Sequence, residues 1–291
     1  MPQTRWTLVG PDRRLDFAEI VRPHLELDPV RNTTILTFVG RLPSDARESR
    51  AEDCYGWWTD EAGHVRAAFV AQVPHAVTLS ADVPIQAAAE LPQAWQDSGR
   101  ARPSGVFGRV ETAERIAADW AELTGGIHRA RPNHAMRLFS FEEPTPPNPA
   151  PRGTARLATL DELKLATRWD AGFIEDCGIV DDGADREPFV RAGIKERRLL
   201  LWIVDGVPVA QAVHTPVIAG TARITGVYTP SEHRRNGYAA SATWAVTHEA
   251  MAKGAERVLL HTDLSNPTSN AVYQRLGYRP VYDVTEFELA D

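Results

Sequence analysis

Residues 228–241 read "YTPSEHRRNGYAAS", and the residue types gathered there could hold an anion. A strand-like run, "ARITGVYTP", is stopped by Pro230, and a helix is predicted over residues 237–253, closed by Gly254. A chain that leaves a strand and opens a helix exposes the unpaired amides of the first helical turn at the positive end of the helix dipole, and both attract negative charge. The amides of Arg234, Arg235, Asn236, Gly237, Tyr238 and Ala239 would converge there. Gly237 has no side chain to block a phosphate and can take the dihedral that curls the loop. Ala239 and Ala240 let the helix sit close to a sheet, and the adjacent arginines add charge at the rim. Taken alone, R-x-x-G-x-A fits a plain helix start with solvated arginines better than an anion site.

Downstream, "LSNPTSNAVYQRLGY" spaces Asn266, Asn270 and Tyr273 along a short helix, with Gly277 at its C-cap position and Tyr278 after it. The two stretches in this order resemble the GNAT superfamily of acyl-CoA-dependent N-acyltransferases. Its pyrophosphate loop reads Q/R-x-x-G-x-G/A after the fourth strand, and its next element commonly reads N-x-x-(S/A)-x-x-x-Y-x-x-x-G-F/Y. The corresponding residues are Arg234, Gly237 and Ala239, then Asn266, Ser269 or Asn270, Tyr273, Gly277 and Tyr278. Ala239 stands where glycine is common, a substitution the family also shows. The resemblance covers residues 153–291 and implies acetyl-CoA as cofactor. It implies that the amides from Arg235 to Ala239, beside Arg234, bind the CoA pyrophosphate. By the same resemblance, Val227, Tyr228 and Thr229 end a strand that splays from "ERVLLHTD" and offer backbone groups to the pantetheine arm. Asn266 and Asn270 would hydrogen-bond the pantetheine or shape the short helix beside it.

Transfer of an acyl group from a thioester to an amine needs a neutral nucleophile, a donor for the developing oxyanion and a proton for the departing thiolate. A backbone amide near Val227 suits the oxyanion. Tyr273 is the candidate acid, because a phenol with a pKa near 10 keeps its proton at neutral pH. The base is open among three residues. His214 ends a strand and is more often simply packed in such a place, while Glu175 and Asp176 end a helix in the region that commonly faces the acceptor in this fold. They belong to an acidic stretch, "DAGFIEDCGIVDDGADRE", with Asp170, Asp181, Asp182, Asp185 and Glu187 against Arg186. That stretch reads equally as a solvated loop or as a negative funnel for a cationic acceptor such as a polyamine, an amino sugar or a basic amino acid. The reading that follows is an N-acetyltransferase acting on a primary amine of a small cationic acceptor. A non-catalytic acyl-CoA sensor and a protein or peptide N-acetyltransferase are its rivals.

These residues need a sheet to hold them. "ATLDELKLATRWDAGFIEDCGI" reads as a helix with Thr159 as N-cap, and Asp205-Gly206 between "RLLLWIV" and "VPVAQAVHT" reads as a hairpin turn. With the strand, helix, strand, helix and closing strand that follow, residues 153–291 form a mixed α/β sheet domain. Five prolines between Pro144 and Pro151 forbid helix and set a linker at 144–152. Residues 1–143 read as a second α/β domain; the resemblance leaves open that it is the degenerate acetyltransferase-like copy with which tandem members of the superfamily complete the acceptor cleft. In it "TTILTFVGRL", "HVRAAFVAQVPHAVTLS" and "HAMRLFSFEE" look like strands, and "IQAAAELPQAWQDSG" and "ETAERIAADWAELTGG" like helices. Gly105 and Gly108 lack the loop spacing and read as a permissive turn. Trp57 and Trp58 read as core residues or as an acceptor-lining pair.

Composition bounds the partners. The chain has 291 residues and a net charge of −7, with the acidic excess shared by both halves, so nucleic acid is not an expected partner. No apolar run approaches 18 residues and no signal-peptide core follows Met1, so the protein is expected in the cytoplasm, off the membrane. A homodimer stays open. Of 32 basic residues nearly all are arginine, as in GC-rich, bacterial genomes. Cys54 and Cys177 lie too far apart in sequence for a CxxC metal site and read as buried thiols.

Overall fold

The computed structural model describes residues 5–42, 50–125, 129–178 and 185–290, which divide into two units of mixed α/β structure. The first unit comprises residues 1–137 and 282–291, the second residues 138–281.

The first unit runs β1 (Trp6–Val9), α1 (Arg14–Leu25), α2 (Thr33–Arg41), β2 (Cys54–Thr59), β3 (Val65–Ala71), β4 (Val77–Leu79), α3 (Ile85–Asp97), β5 (Gly105–Arg109), α4 (Val110–Leu123) and β6 (Arg129–Phe141). Strands β1 to β4 pair antiparallel in sequence order, and β4 pairs parallel with β5. Helix α4 buries Ala113, Ile116, Ala117 and Trp120, a single stripe at 3.6-residue spacing, against this sheet's core. Trp57 and Trp58 are buried on β2, and the Trp58 indole donates to Glu90 Oε2 at 2.9 Å, so the pair is core structure. Gly105 and Gly108 lie inside β5 and not in a turn; a methyl on Gly105 would meet the Phe287 carbonyl at 2.5 Å.

The second unit repeats the same order: β7 (Thr154–Leu157), α5 (Leu163–Asp176), α6 (Glu187–Lys195), β8 (Leu199–Val204), β9 (Val207–His214), β10 (Thr221–Tyr228), α7 (Tyr238–Ala252), β11 (Arg257–Asp263), α8 (Pro267–Arg275) and β12 (Tyr278–Ala290). Strands β7 to β10 are antiparallel, and β10 pairs parallel with β11. Asp205 and Gly206 both have positive φ, 49° and 82°, which gives the predicted tight hairpin. One face of this sheet packs on α7 through Ala210, Ala212, Ile224, Val258 and Leu260, and the other packs on α5 and α6 through Leu199, Leu201 and Val213.

Two sequence expectations change. Residues 33–41 are helix α2, not a strand: their β-branched composition favours strand, but Ile35, Leu36 and Val39 are buried on one helical face, and packing overrides propensity. The units also divide within strands β6 and β12, whereas the prolines suggested a boundary at 144–152. Leu138–Phe141 belong to the second unit, where Phe139 and Phe141 join the α7-side core, and the proline-rich segment follows inside that unit. It is tied down there, with the Trp202 indole donating to the Arg152 carbonyl at 2.9 Å.

Gly277 shows how tightly that segment is held. Its φ is +100°, and a Cβ there would lie 1.7 Å from the Glu143 carbonyl oxygen. Gly277→Ala is therefore expected to destabilise the protein by about 2 kcal/mol or more. An unshifted urea midpoint would contradict this packing.

Candidate active site

Strands β10 and β11 are paired over Thr221–Ile224 and Arg257–Leu260, and then both continue without pairing. The cause is on the other side of β10. Between Thr225, opposite Val213, and Tyr228, opposite Gln211, β10 carries one residue more than β9, a bulge that includes Gly226 at φ +58°. The bulge bends β10 away from β11 and leaves the backbone near Val227 outside the regular ladder.

Past the parting, Thr229 is buried with no partner for its Oγ1 among the described residues, and the loop Ser231–Gly237 leads into α7. Arg235 and Gly237 both take positive φ, 65° and 79°, which curls successive amides to one side as in an anion-binding nest. The amides of Arg235, Asn236 and Gly237, with those of the first turn of α7, make no backbone hydrogen bond among the described residues. Arg234 behaves differently from expectation. Its Nε donates to the Thr229 carbonyl at 3.0 Å and its guanidinium pairs with Asp176 at 2.6 Å, so it braces the loop to the end of α5. Arg235 is exposed, with no ion pair among the described residues.

Beside the loop, α8 is capped by Asn266, whose Oδ1 accepts from the Ser269 amide at 3.0 Å. Asn270 donates through Nδ2 to the carbonyls of Asp263 and Asn266, each at 2.8 Å, while its buried Oδ1 has no partner. Tyr273 packs against the α7-side core, and burial pushes its hydroxyl up to about 12, so it is a permanent donor at neutral pH. Tyr278 is fully buried and hydrogen-bonded to Thr247, a core role.

The candidate bases fare unevenly. His214 shares the α7 side of the sheet with Ala210 and Ala212 and pairs with Ile224 before the strands part, so it does not join this group. It is fully buried, its Nδ1 meets the Thr215 carbonyl at 2.7 Å, and desolvation lowers its pKa to about 4. Glu175 is exposed on the last turn of α5, and Asp176 is held by Arg234. Other members of the acidic stretch also have local partners: Asp185 accepts from the Glu187 amide, Glu187 pairs with Arg191, and Arg186 donates to Asp170 at 2.8 Å. Asp181 and Asp182 lie outside the described residues. Cys177, expected to be buried, is exposed at the C-cap of α5, while Cys54 is buried.

Two residues of the region escaped the sequence reading. Gln211, opposite Tyr228, is buried with a bare Oε1, and His261, the first β11 residue after the parting, has a buried, bare Nε2. Only strand alternation and register, not a motif, could have singled them out.

The first unit has the same element order without the same loop. Its β4–α3 connection is only five residues, Ser80–Pro84, and Pro84 contributes no amide. The Asp82 carboxylate lies there, bonded by Arg31 and Arg109 at 3.0 Å each, in a shallow cleft of 480 Å³ lined also by Val83, Glu111 and Thr112.

Residues 166–278 match the Acetyltransferase (GNAT) family, and the chain carries a GNAT acetyltransferase domain there. Among solved structures, a GCN5-related N-acetyltransferase from Sphaerobacter thermophilus is similar at a TM-score of 0.61 and 16% identity, over 99% of this chain and 96% of that one. A tandem GNAT protein from the clavulanic acid biosynthesis pathway is similar at 0.56 and 13%, over 98% of each chain. A GCN5-related N-acetyltransferase from Kribbella flavida is similar at 0.53 and 21%, over 77% of this chain and 86% of that one. These likenesses show the GNAT fold across nearly the whole chain, the N-terminal half included. No curated protein matches the sequence. Among the described residues no helix is long and apolar enough to cross a membrane.

The buried imidazole of His214 has a consequence for stability. It is neutral when folded and binds a proton below about pH 6.5 when unfolded, so acidification toward pH 4 favours the unfolded chain. Wild type should lose on the order of 1–3 kcal/mol more than His214→Gln between pH 7 and pH 4. Parallel urea curves for the two proteins across that range would contradict it.

Proposed function

We propose that the second unit transfers an acetyl group from acetyl-CoA to the primary amine of a small acceptor that is cationic in solution. The observation that carries this reading is the parting of β10 and β11 beside the curled loop before α7. The residues present fit the cofactor. Unpaired amides from Arg235 to Ala239 and the exposed Arg235 suit a pyrophosphate, and the bare acceptor Asn270 Oδ1 with the hydroxyl of Thr229 suits the amides of a pantetheine arm. Val227, Tyr228 and Thr229 border the opening, with Asn236 and Tyr238 on either side of Gly237. Arg234 and Asn266 act by shaping, the first through its hold on Thr229 and Asp176, the second by capping α8.

When bound, the cofactor supplies an acyl group activated as a thioester. Backbone amide near Val227, freed from the ladder by the bulge, donates to the oxygen on which charge develops. Tyr273 donates a hydrogen bond, and then its proton, to the departing sulfur. The first unit is read as a companion fold without a cofactor of its own, because Asp82 places a carboxylate where a pyrophosphate would have to sit.

CoA should raise the melting temperature and titrate by calorimetry to one equivalent per chain. No shift at concentrations far above micromolar would overturn the cofactor assignment, and two equivalents would overturn the reading of the first unit. Tyr273→Phe should lower turnover by about 10- to 100-fold while leaving the CoA-induced shift intact. Unchanged turnover would remove Tyr273 from the chemistry.

A further inference from the structure

On the α5 and α6 side of the second unit's sheet, three hydrogen-bond acceptors surround the β10 bulge. Asp170 is on α5 and only 3% exposed. Its Oδ2 accepts from Arg186 Nε at 2.8 Å, whereas Oδ1 has no partner among the described residues. Oδ1 faces the bulge: a Cβ on Gly226 would lie 3.8 Å from it. Gln211 pairs in register with Leu201, whose side chain joins the α5–α6 core, and its neighbours Ala210 and Ala212 join the other one, so Gln211 is on Asp170's side. By the same alternation His261 is there too, since Val258 and Leu260 point into the α7-side core. Gln211 Oε1 and His261 Nε2 are buried without a partner among the described residues.

A buried acceptor with no donor is destabilising, and a cluster of them is ordinarily completed by a ligand or water. A carboxylate and two neutral acceptors repel an anion and suit a group rich in N–H. A primary ammonium offers three such donors. Burial lowers the pKa of His261 to about 3, so its ring stays neutral and can accept.

We propose that Asp170, held by Arg186, is the catalytic residue that receives the acceptor's amino group and takes its proton, with Gln211 and His261 as flanking acceptors. This rests on the transferase reading above. The bound ammonium first loses one proton to solvent; in the step, the neutral amine nitrogen forms a bond to the acyl carbon while the carbon–sulfur bond breaks. One N–H proton passes to Asp170 Oδ1 and the sulfur takes a proton from Tyr273, giving an amide and a thiol; solvent then resets both side chains. Arg186 is a positioning residue, fixing Oδ2 so that Oδ1 stays aimed at the bulge.

The test follows free-thiol release from acetyl-CoA by the full chain with butane-1,4-diamine, spermidine, glucosamine and lysine. Asp170→Asn should lower kcat with the best amine about 100-fold or more, while the KM for acetyl-CoA and the CoA-induced rise in Tm stay as in wild type. A merely structural role would move those two as well. Arg186→Gln keeps the carboxylate and alters a half-exposed side chain, so it decides the matter if Asp170→Asn does not fold. Its kcat should fall about 10-fold, and no fall would overturn the proposal. An Asp170→Asn enzyme with wild-type kcat, or a full loss in His261→Leu with none in Asp170→Asn, would overturn it while leaving the transferase reading intact. Thiol release with no amine in the wild-type protein would sink that reading and this proposal together.

Discussion

Two parallel strands that pair for four residues and then run on apart are the constraint around which the second unit's candidate site is arranged. A parallel ladder satisfies the amides and carbonyls of both strands, so opening it exposes backbone groups that need other partners. The β10 bulge at Gly226 forces the opening from one side. From the other side α8 fixes the end of β11, through Asn266 at its cap and Asn270 across the Asp263–Asn266 turn. The loop into α7 then presents a row of amides at the mouth of the opening.

Charge is organised around the same opening in an unexpected way. The stretch after α5 is acidic in composition, yet its described carboxylates are largely paired with nearby arginines or amides. Exposed pairs of this kind contribute little stability and little field once salt screens them. The pair between Asp176 and Arg234 matters through position, because it ties the end of the helix that carries Asp170 to the loop that heads α7. Among the described residues, Gln211 Oε1 and His261 Nε2 are buried and unpaired, and Asp170, itself a buried residue, has Oδ1 without a partner. Selection of the acceptor by these groups would depend on desolvated hydrogen bonds more than on surface charge.

The two units share an element order and differ where function is read. In the second unit nine residues, Thr229–Gly237, connect the fourth strand to its helix, whereas in the first only Ser80–Pro84 do so. A carboxylate with two arginines replaces the free amides. Fold and site are separable, and here one chain carries two units with the same element order and different loops at the same place.

Much of this was legible from residue types alone. Gly237 among small residues after Pro230, the spacing of Asn266, Asn270 and Tyr273, and the Asp205-Gly206 turn are local signals, set by dihedral preference and by neighbours a few residues away. They announced the loop, the short helix and the hairpin. Residues 33–41 misled, since their β-branched side chains favour strand and only the core they meet makes them a helix. His214 misled because a strand residue's neighbours do not reveal which face it takes. By itself, then, the sequence determined most of the elements, the anion-suited loop and the family resemblance, all of which depend on short-range backbone chemistry. The tertiary structure alone decided that Asp170, Gln211 and His261 share one side of the sheet around the β10 bulge, because strand register and helix docking place residues up to 91 positions apart on neighbouring elements, and no local pattern encodes that placement.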